Sequence, residues 1–451
     1  MFMMFFQVIR EIMEKQEFSL SKIPTSLFSR GAKLMGLASK VALEEVSSKL
    51  KTWESEKEKL ISKIQLTQDI VKTLSELKGA SMKLGQLLSL DLGDYLPPEM
   101  VKILGELHQK STFLSYGVIE DILKKELSTN FQKFSEISQR PIAAASIGQV
   151  HKAKIDNKDV VIKIQYPGIA DSIPSDIKIL ELILKQLIVI SGKSRIDISP
   201  LLKEIKEVLL KEVDYKNELQ MHKKYRDAFS GKEFVIPEPF EEYSTSKILV
   251  QEFISGISIT DWIKEDPSAD KRHKVADLLM KLYLDEIFLY RLVQTDPNPG
   301  NFLMTPEDNI VLIDFGAVKE YEPTFVEGYR KILIASYNKD ADLILTESYK
   351  VQFIDERESD EVKNIYLEMM DYLSSPFRED SFFDFSDKEF FNRSRDLSIQ
   401  MSMKCRYSPP PKDLIFLHRK LAGIFIFLKK LDVKIKLKDY WHYVEGASVH
   451  K

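Results

Sequence analysis

The sequence predicts an α+β fold of two lobes, a small β-sheet lobe leading into a helical lobe, with a helical extension at the N-terminus. Three observations predict it. Residues Pro141 to Gln165 switch to a strand-like alternation around a turn rich in Asp and Asn. Beyond Lys271, long segments carry apolar residues at helical spacing. Residues 1 to about 75 show few strand signals and mixed charge at helical spacing. At 451 residues the chain exceeds one ordinary core. The expected divisions are an N-terminal helical region (1–65), a second helical extension (66–135), the sheet lobe with inserted helices (136–255) and the helical lobe (256–451).

Composition narrows the function classes. A hydrophobic fraction of 44% and a charged fraction of 30% are those of a folded, water-soluble body. The formal charge of −4 supplies no basic field for nucleic acid, and no basic run is interleaved with stacking aromatics. The single cysteine, Cys405, excludes an intramolecular disulfide and a cysteine-based zinc site. The apolar start Met1 to Ile9 has no basic residue before it and meets Glu11 and Glu14 soon after, so a cleaved signal peptide is not expected. No stretch reaches about 18 uninterrupted apolar residues. Leu414 to Leu428 comes nearest and is broken by His418, Arg419 and Lys420, which reads as a buried C-terminal helix. The expected location is intracellular, cytoplasmic or at the membrane periphery.

Taken in order, Leu77 to Ser89 reads as a helix with an apolar face of Met82, Leu84, Leu87 and Leu88. Lys83 and Gln86, three apart, project from one side of it. They form either a solvated stripe or a functional pair, and Gly85 between them admits a close neighbour. Ala143-Ala144-Ala145-Ser146 then opens a small-residue strand-loop-strand that ends in Val161-Ile162-Lys163. This matches the nucleotide-covering loop and phosphate-pairing lysine of kinases, with alanines where glycines usually stand. Lys163 on an apolar strand needs a partner.

An inserted helix is expected around Ile177 to Ile190, and a second from Ile198 to about Arg226. Glu212 and Asp214 cannot share a helical face, so they meet different partners or the helix is interrupted there. Glu218, one turn past Asp214, is the natural mate for Lys163. Val235 to Pro239 and Ile248 to Phe253 read as strands, the second placing Gln251, Glu252 and Phe253 where a hinge would hold adenine through its backbone. Helices follow at Lys271–Tyr290, Thr324–Tyr337, Ala341–Tyr349, Asp360–Leu373 and Lys412–Leu431. Ser374 to Asp387, aromatic and acidic, is expected to loop over the surface.

The chemistry concentrates between Leu292 and Lys319. Asp296 and Asn301 stand five residues apart, the offset between the acid and the metal-binding amide of kinase catalytic loops, and Asp314-Phe315-Gly316 follows after a hairpin-length gap. Nucleotide phosphates need divalent charge compensation, and Mg²⁺ takes hard oxygen ligands of the kind Asn301 and Asp314 offer. The chain is short of residues for a long activation segment before the helix near Pro323 and has no Ala-Pro-Glu after it. Gln294-Thr295 replaces the usual His-Arg, and Asn298 stands where a phosphate-contacting lysine is common. Loss of that cation should slow transfer.

With Lys83-Leu84-Gly85-Gln86, Ala143 to Val150, Lys163, Glu212-Val213-Asp214 and Gln294-Thr295-Asp296-Pro297-Asn298 in this order, the chain resembles the UbiB, or AarF-domain-containing, family of atypical kinase-like proteins. It is most similar to the subgroup that supports coenzyme Q (ubiquinone) biosynthesis. The resemblance implies a two-lobed protein-kinase-like fold. It implies that Lys83 reaches Glu212 and Asp214 and that its helix covers the peptide site. It further implies that Lys163 pairs with Glu218 and the ATP phosphates, that Asp296 is the catalytic-loop acid, and that Asn301 and Asp314 hold Mg²⁺. The implied activity is that of an Mg-dependent ATPase or small-molecule kinase in isoprenoid lipid metabolism, with a quinone or isoprenoid lipid, the membrane surface and biosynthetic enzymes as partners. The alternative is a nucleotide-gated chaperone that presents lipids to those enzymes.

Overall fold

The computed structural model describes residues 113–145, 147–190, 199–229, 231, 233–408 and 411–446. The expected N-terminal helices, including the one bearing Lys83, lie outside them. In chain order the elements are α1 (Tyr116–Leu127), β1 (Phe134–Ser135), β2 (Ala143–Ala145), β3 (Gly148–Ile155), β4 (Lys158–Gln165), α2 (Ile169–Ile190), α3 (Ser199–Glu212), α4 (Tyr215–Phe229), β5 (Phe234–Val235), β6 (Ile248–Glu252), β7 (Ile257–Ser258), α5 (Ile259–Lys264) and α6 (Ala269–Leu284). There follow β8 (Leu292–Gln294), β9 (Phe302–Met304), β10 (Ile310–Leu312), β11 (Val318–Glu320), α7 (Pro323–Tyr337), α8 (Ala341–Lys350), α9 (Asp360–Arg378), β12 (Phe383–Asp384), α10 (Lys388–Lys404), α11 (Lys412–Lys430), β13 (Lys434–Ile435) and α12 (Trp441–Glu445). The fold is α+β and kinase-like. Two compact units result: one takes the described residues up to Lys216 together with Phe240–Gln251, the other Asn217–Pro239 and Glu252 onward.

The first unit is built on a sheet in the order β1-β3-β4-β6, with β2 paired to β3. The turn between β3 and β4 is Asp156-Asn157, both at positive φ (48° and 67°), a conformation these two residues tolerate better than most. Along β3, buried and partly buried residues alternate, and Ala153 and Ile155 join Ile119, Leu123, Val160, Ile162 and Val250 in one apolar core.

The same strand carries a buried polar chain. Gln149 Oε1 accepts from the Leu114 N–H at 2.8 Å, its amide nitrogen contacts His151 Nε2 at 2.8 Å, and His151 Nδ1 lies 2.6 Å from the Ser138 carbonyl. For each group to have a complementary partner the imidazole must be neutral, with its proton on Nδ1. Burial pushes the His151 pKa below its ordinary value, and the Ser138 carbonyl offsets only part of that. A folded pKa below the unfolded one means that the unfolded chain binds the proton first as pH falls. Stability from this site is therefore complete above the unfolded value of about 6.5 and is lost as pH drops through it toward the folded value. The melting temperature is expected to fall between pH 7.5 and 5.5, and His151→Leu to flatten that slope. An unchanged slope in the variant would remove His151 from the acid response.

The second unit holds the sheet β5-β10-β9-β7, in which β5 pairs parallel to β10, and the two-stranded pairs β8–β11 and β12–β13. Its largest apolar cluster runs from Tyr225 and Phe229 through Leu279, Val293, Phe302 and Phe315 to Phe427. Helix starts are capped: Ser258 accepts from the Asp261 N–H and Ser268 from that of Lys271. Of the two alternatives open for Glu212 and Asp214 the helix interruption is the one observed, at Val213-Asp214, where the Gln165 amide takes the Val213 carbonyl at 2.7 Å. One expectation needs correction. The stretch Ser374 to Asp387 is not a surface loop: α9 continues to Arg378, and Phe385 is buried among Phe383 and Phe425. Asp387 then caps α10, a helix not foreseen, by accepting from the N–H groups of Glu389 and Phe390.

Candidate active site

In the second unit, β8 ends at Gln294 and the chain turns through Asp296 into a single 3₁₀ turn at Pro299–Asn301. Short polar side chains shape this turn. Asp296 Oδ1 accepts from the Asn298 N–H at 3.2 Å, and Asn298 Oδ1 from the Gly300 N–H at 3.0 Å. The Asn301 amide nitrogen donates to the Asp296 carbonyl at 3.4 Å, an orientation that leaves its Oδ1 facing elsewhere as an acceptor. The β9–β10 hairpin pairs Phe302 with Leu312, and the Ile313 N–H donates to the Asn301 carbonyl at 3.3 Å. The register thus sets Asn301 opposite Ile313, the residue before Asp314, while Asp296 lies in the turn that leads into β9.

Asp314 Oδ1 accepts from the Gly316 N–H at 3.1 Å. A Cβ at Gly316 would stand 3.3 Å from Glu218 Oε2 and 3.5 Å from Asp314 Oδ1, so two carboxylates converge on a residue that has no side chain to separate them. Phe315 is fully buried, stacked on His222 at 4.1 Å between ring centres and tilted against Tyr225 at 5.2 Å. Glu218, His222, Tyr225 and Phe229 recur at helical spacing, so a single face of α4 carries both the carboxylate and the rings that seat Phe315. After Gly316 comes only β11 before α7 begins at Pro323.

In the first unit, Ala143, Ala144 and Ala145 form β2 against β3, with Ala145 opposite Gly148. Lys163 is half-buried on β4, its ammonium 5.2 Å above the ring of the buried Tyr215. Two residues on, Gln165 holds the Val213 carbonyl, so the strand that presents Lys163 also fixes the break that carries Glu212 and Asp214. Gln251 is buried at the end of this unit. Glu252 opens the next stretch of the second unit, where its N–H donates to the Glu238 carbonyl at 2.8 Å and is therefore already committed.

A model of the ABC1 atypical kinase-like domain matches residues 106–348, more than half of the chain. The chain belongs to the ABC1 atypical kinase-like family. It is 31% identical over 438 residues to the atypical kinase COQ8B, mitochondrial, of Danio rerio, covering 94% of this chain and 69% of that one. It is 31% identical over 451 residues to the atypical kinase COQ8, mitochondrial, of Saccharomyces cerevisiae, covering 97% and 85%. Among solved structures it resembles the Rv3197–erythromycin complex from Mycobacterium tuberculosis, with a TM-score of 0.57, 26% identity, and coverage of 86% of this chain and 98% of that one.

Of the site residues expected for this ABC1 chain, Asp296, Asn301, Asp314 and Glu218 share the second unit with Glu252 and Phe253, while Ala143, Ala144, Ala145, Lys163, Glu212, Asp214 and Gln251 belong to the first. Lys83 and Ser146 lie outside the described residues. Among the described residues no three Asp, Glu, His or Cys side chains cluster as a metal cage. The donors expected for a metal, the Asp314 carboxylate and the Asn301 amide oxygen, are hard oxygens of the type that fits Mg²⁺.

Sequence reasoning missed His222 and Tyr215, whose roles depend on packing. It also missed Glu286, which is fully buried in the π-turn Asp285–Leu289. Burial pushes the Glu286 carboxyl up, opposed by Lys420, Tyr225 and the Gln294 peptide. The available signal was the acidic pair Asp285-Glu286 in an otherwise apolar helix end.

Proposed function

We propose that this chain binds Mg-ATP and cleaves its γ-phosphate, by hydrolysis or by transfer to a small molecule, in support of coenzyme Q or related isoprenoid lipid biosynthesis. The observation that carries this reading is the hairpin that sets Asn301 opposite Ile313, next to Asp314, with Asp296 in the turn before it. In this mechanism Asn301 and Asp314 hold Mg²⁺, which would neutralise charge on the phosphates when bound. Lys163 pairs with the α- and β-phosphates and with Glu218. Asp296 orients the attacking oxygen and accepts its proton. Ala143, Ala144, Ala145 and Ser146 cover the nucleotide, and Gln251 to Phe253 meet the adenine. Lys83, reaching Glu212 and Asp214, closes the site to peptides, and the short connection from Gly316 to Pro323 supports that exclusion. The names of the curated relatives, mitochondrial atypical kinases, support a role in an organelle. No helix among the described residues is long and apolar enough to cross a membrane.

Purified full-length chain is expected to turn over ATP only with Mg²⁺ and to do so faster with vesicles containing an isoprenoid quinone precursor. Deleting the gene is expected to deplete quinone and accumulate a precursor. Nucleotide binding with no turnover under any of these conditions would replace the enzyme reading with a nucleotide-gated lipid-presenting chaperone.

A further inference from the structure

We infer that helix α11 is a positioning strut for the catalytic loop, with Lys420 acting through Glu286, and Gly423 acting through Pro297, to fix where Asp296 stands. The inference rests on Asp296 being the catalytic-loop acid. All the groups involved lie in the second unit. Glu286 Oε1 accepts from the Gln294 backbone N–H at 3.0 Å, two residues before Asp296, and from the Tyr225 hydroxyl at 2.7 Å. Lys420 Nζ lies 3.1 Å from Glu286 Oε2 and 3.2 Å from Oε1, and neither side chain reaches solvent. The Gln294 carboxamide is also fully buried, and among the described residues neither of its polar atoms has a hydrogen-bond partner. This residue is therefore held by its backbone, through Glu286.

One turn along α11, a Cβ at Gly423 would fall 2.0 Å from Pro297 Cβ, so the helix backbone abuts the residue that follows Asp296. A turn further, Phe427 meets Phe302 edge-on at 5.2 Å, and Lys420 sits 5.4 Å over the same Phe302 ring. Lys420, Gly423 and Phe427 thus present one face to the start, middle and end of the catalytic loop. At its other end α11 holds the strand after Asp-Phe-Gly: Asp413 pairs with Lys319, and its carbonyl accepts from the Tyr321 hydroxyl at 3.1 Å. A buried ion pair is seldom the most stabilising filling for its space, since apolar groups of similar shape serve as well or better. Its presence beneath the loop, beside a π-turn of the kind often found at functional sites, fits a requirement for position.

The test uses the full chain and steady-state ATP turnover. Lys420→Met, Glu286→Leu/Lys420→Met and Gly423→Ala are expected to lower kcat by about 10²-fold, the scale of an ångström-size misplacement. KM for ATP should stay within about twofold, and Lys420→Arg should recover part of the loss. The double apolar variant orphans the Gln294 N–H and the Tyr225 hydroxyl and is expected to melt lower, so kcat is expressed per folded molecule at the assay temperature, which separates position from stability. In an Asp296→Asn background, Lys420→Met should cause no further loss, because both act through the same carboxylate. Wild-type kcat in the folded double variant and in Gly423→Ala, with Asp296→Asn inactive, would overturn the strut alone. Wild-type turnover in Asp296→Asn would overturn the catalytic assignment and the strut with it. If Lys420→Met fails to fold, Gly423→Ala and Lys420→Arg decide by the same kcat criterion.

Discussion

Asp314→Asn is expected to lower Mg²⁺-dependent ATP turnover by about 10³-fold while leaving the melting temperature within a few degrees of wild type. The two halves of that expectation come from different atoms. Asp314 Oδ1 is the acceptor for the Gly316 N–H, and an asparagine Oδ1 makes the same bond, so the turn that seats Phe315 survives the change. What the substitution removes is the negative charge. An amide oxygen is a far poorer Mg²⁺ ligand than a carboxylate when only one other protein donor, Asn301, is at hand. Several kcal/mol of stabilisation at the developing phosphoryl charge is at stake, and three decades of rate correspond to about 4 kcal/mol. Removing the Asp314 charge also leaves Glu218 as the remaining carboxylate against Gly316. Turnover would be followed against Mg²⁺ concentration, with nucleotide affinity measured separately. Wild-type turnover at saturating Mg²⁺ would show that the metal is held elsewhere.

The two-lobed α+β fold and the family were legible in the sequence because the motif residues keep their type and local spacing in one order along the chain. Asp296, Asn301 and Asp314 lie within one turn and one hairpin, so their placement depends on local register. What was not legible depends on contacts between residues distant in the chain. Lys420 was seen only as a charge interrupting an apolar segment. Its partner Glu286 is 134 residues away, and nothing local to either side chain announces the pair. Gln149 was one letter of a motif, and its tie to the Leu114 peptide spans 35 residues. The break at Val213 was left open by the spacing of Glu212 and Asp214 and is decided by Gln165 on another strand. The aromatic and acidic run from Ser374 to Asp387 was misjudged because its composition suits a loop, whereas Phe383 and Phe385 find ring partners on α10 and α11.

Gly148→Ala is expected to destabilise the chain by at least about 3 kcal/mol, the upper end of what one added methyl does to a packed interior, and to abolish nucleotide binding. A glycine in a nucleotide-covering segment invites the explanation that phosphates need close access to its backbone. The geometry gives a different reason. A Cβ on Gly148 would stand 2.1 Å from the Ile164 carbonyl oxygen and 3.2 Å from Gln165 Cα, both backbone atoms of the neighbouring strand that no rotamer change can move. Gly148 pairs with Gln165, and Val150 with Lys163, so forcing β3 away from β4 disturbs the lysine and the Gln165 amide that anchors Val213. Loss of nucleotide binding then follows from loss of the sheet. Ala144, one residue along β2 from Ala145, provides the contrast, because it is only partly buried and Ala144→Gly removes a methyl without introducing a clash. Urea unfolding should show a lowered midpoint with unchanged slope for Gly148→Ala and a midpoint near wild type for Ala144→Gly. A wild-type midpoint combined with lost nucleotide affinity in Gly148→Ala would instead return this glycine to the phosphates.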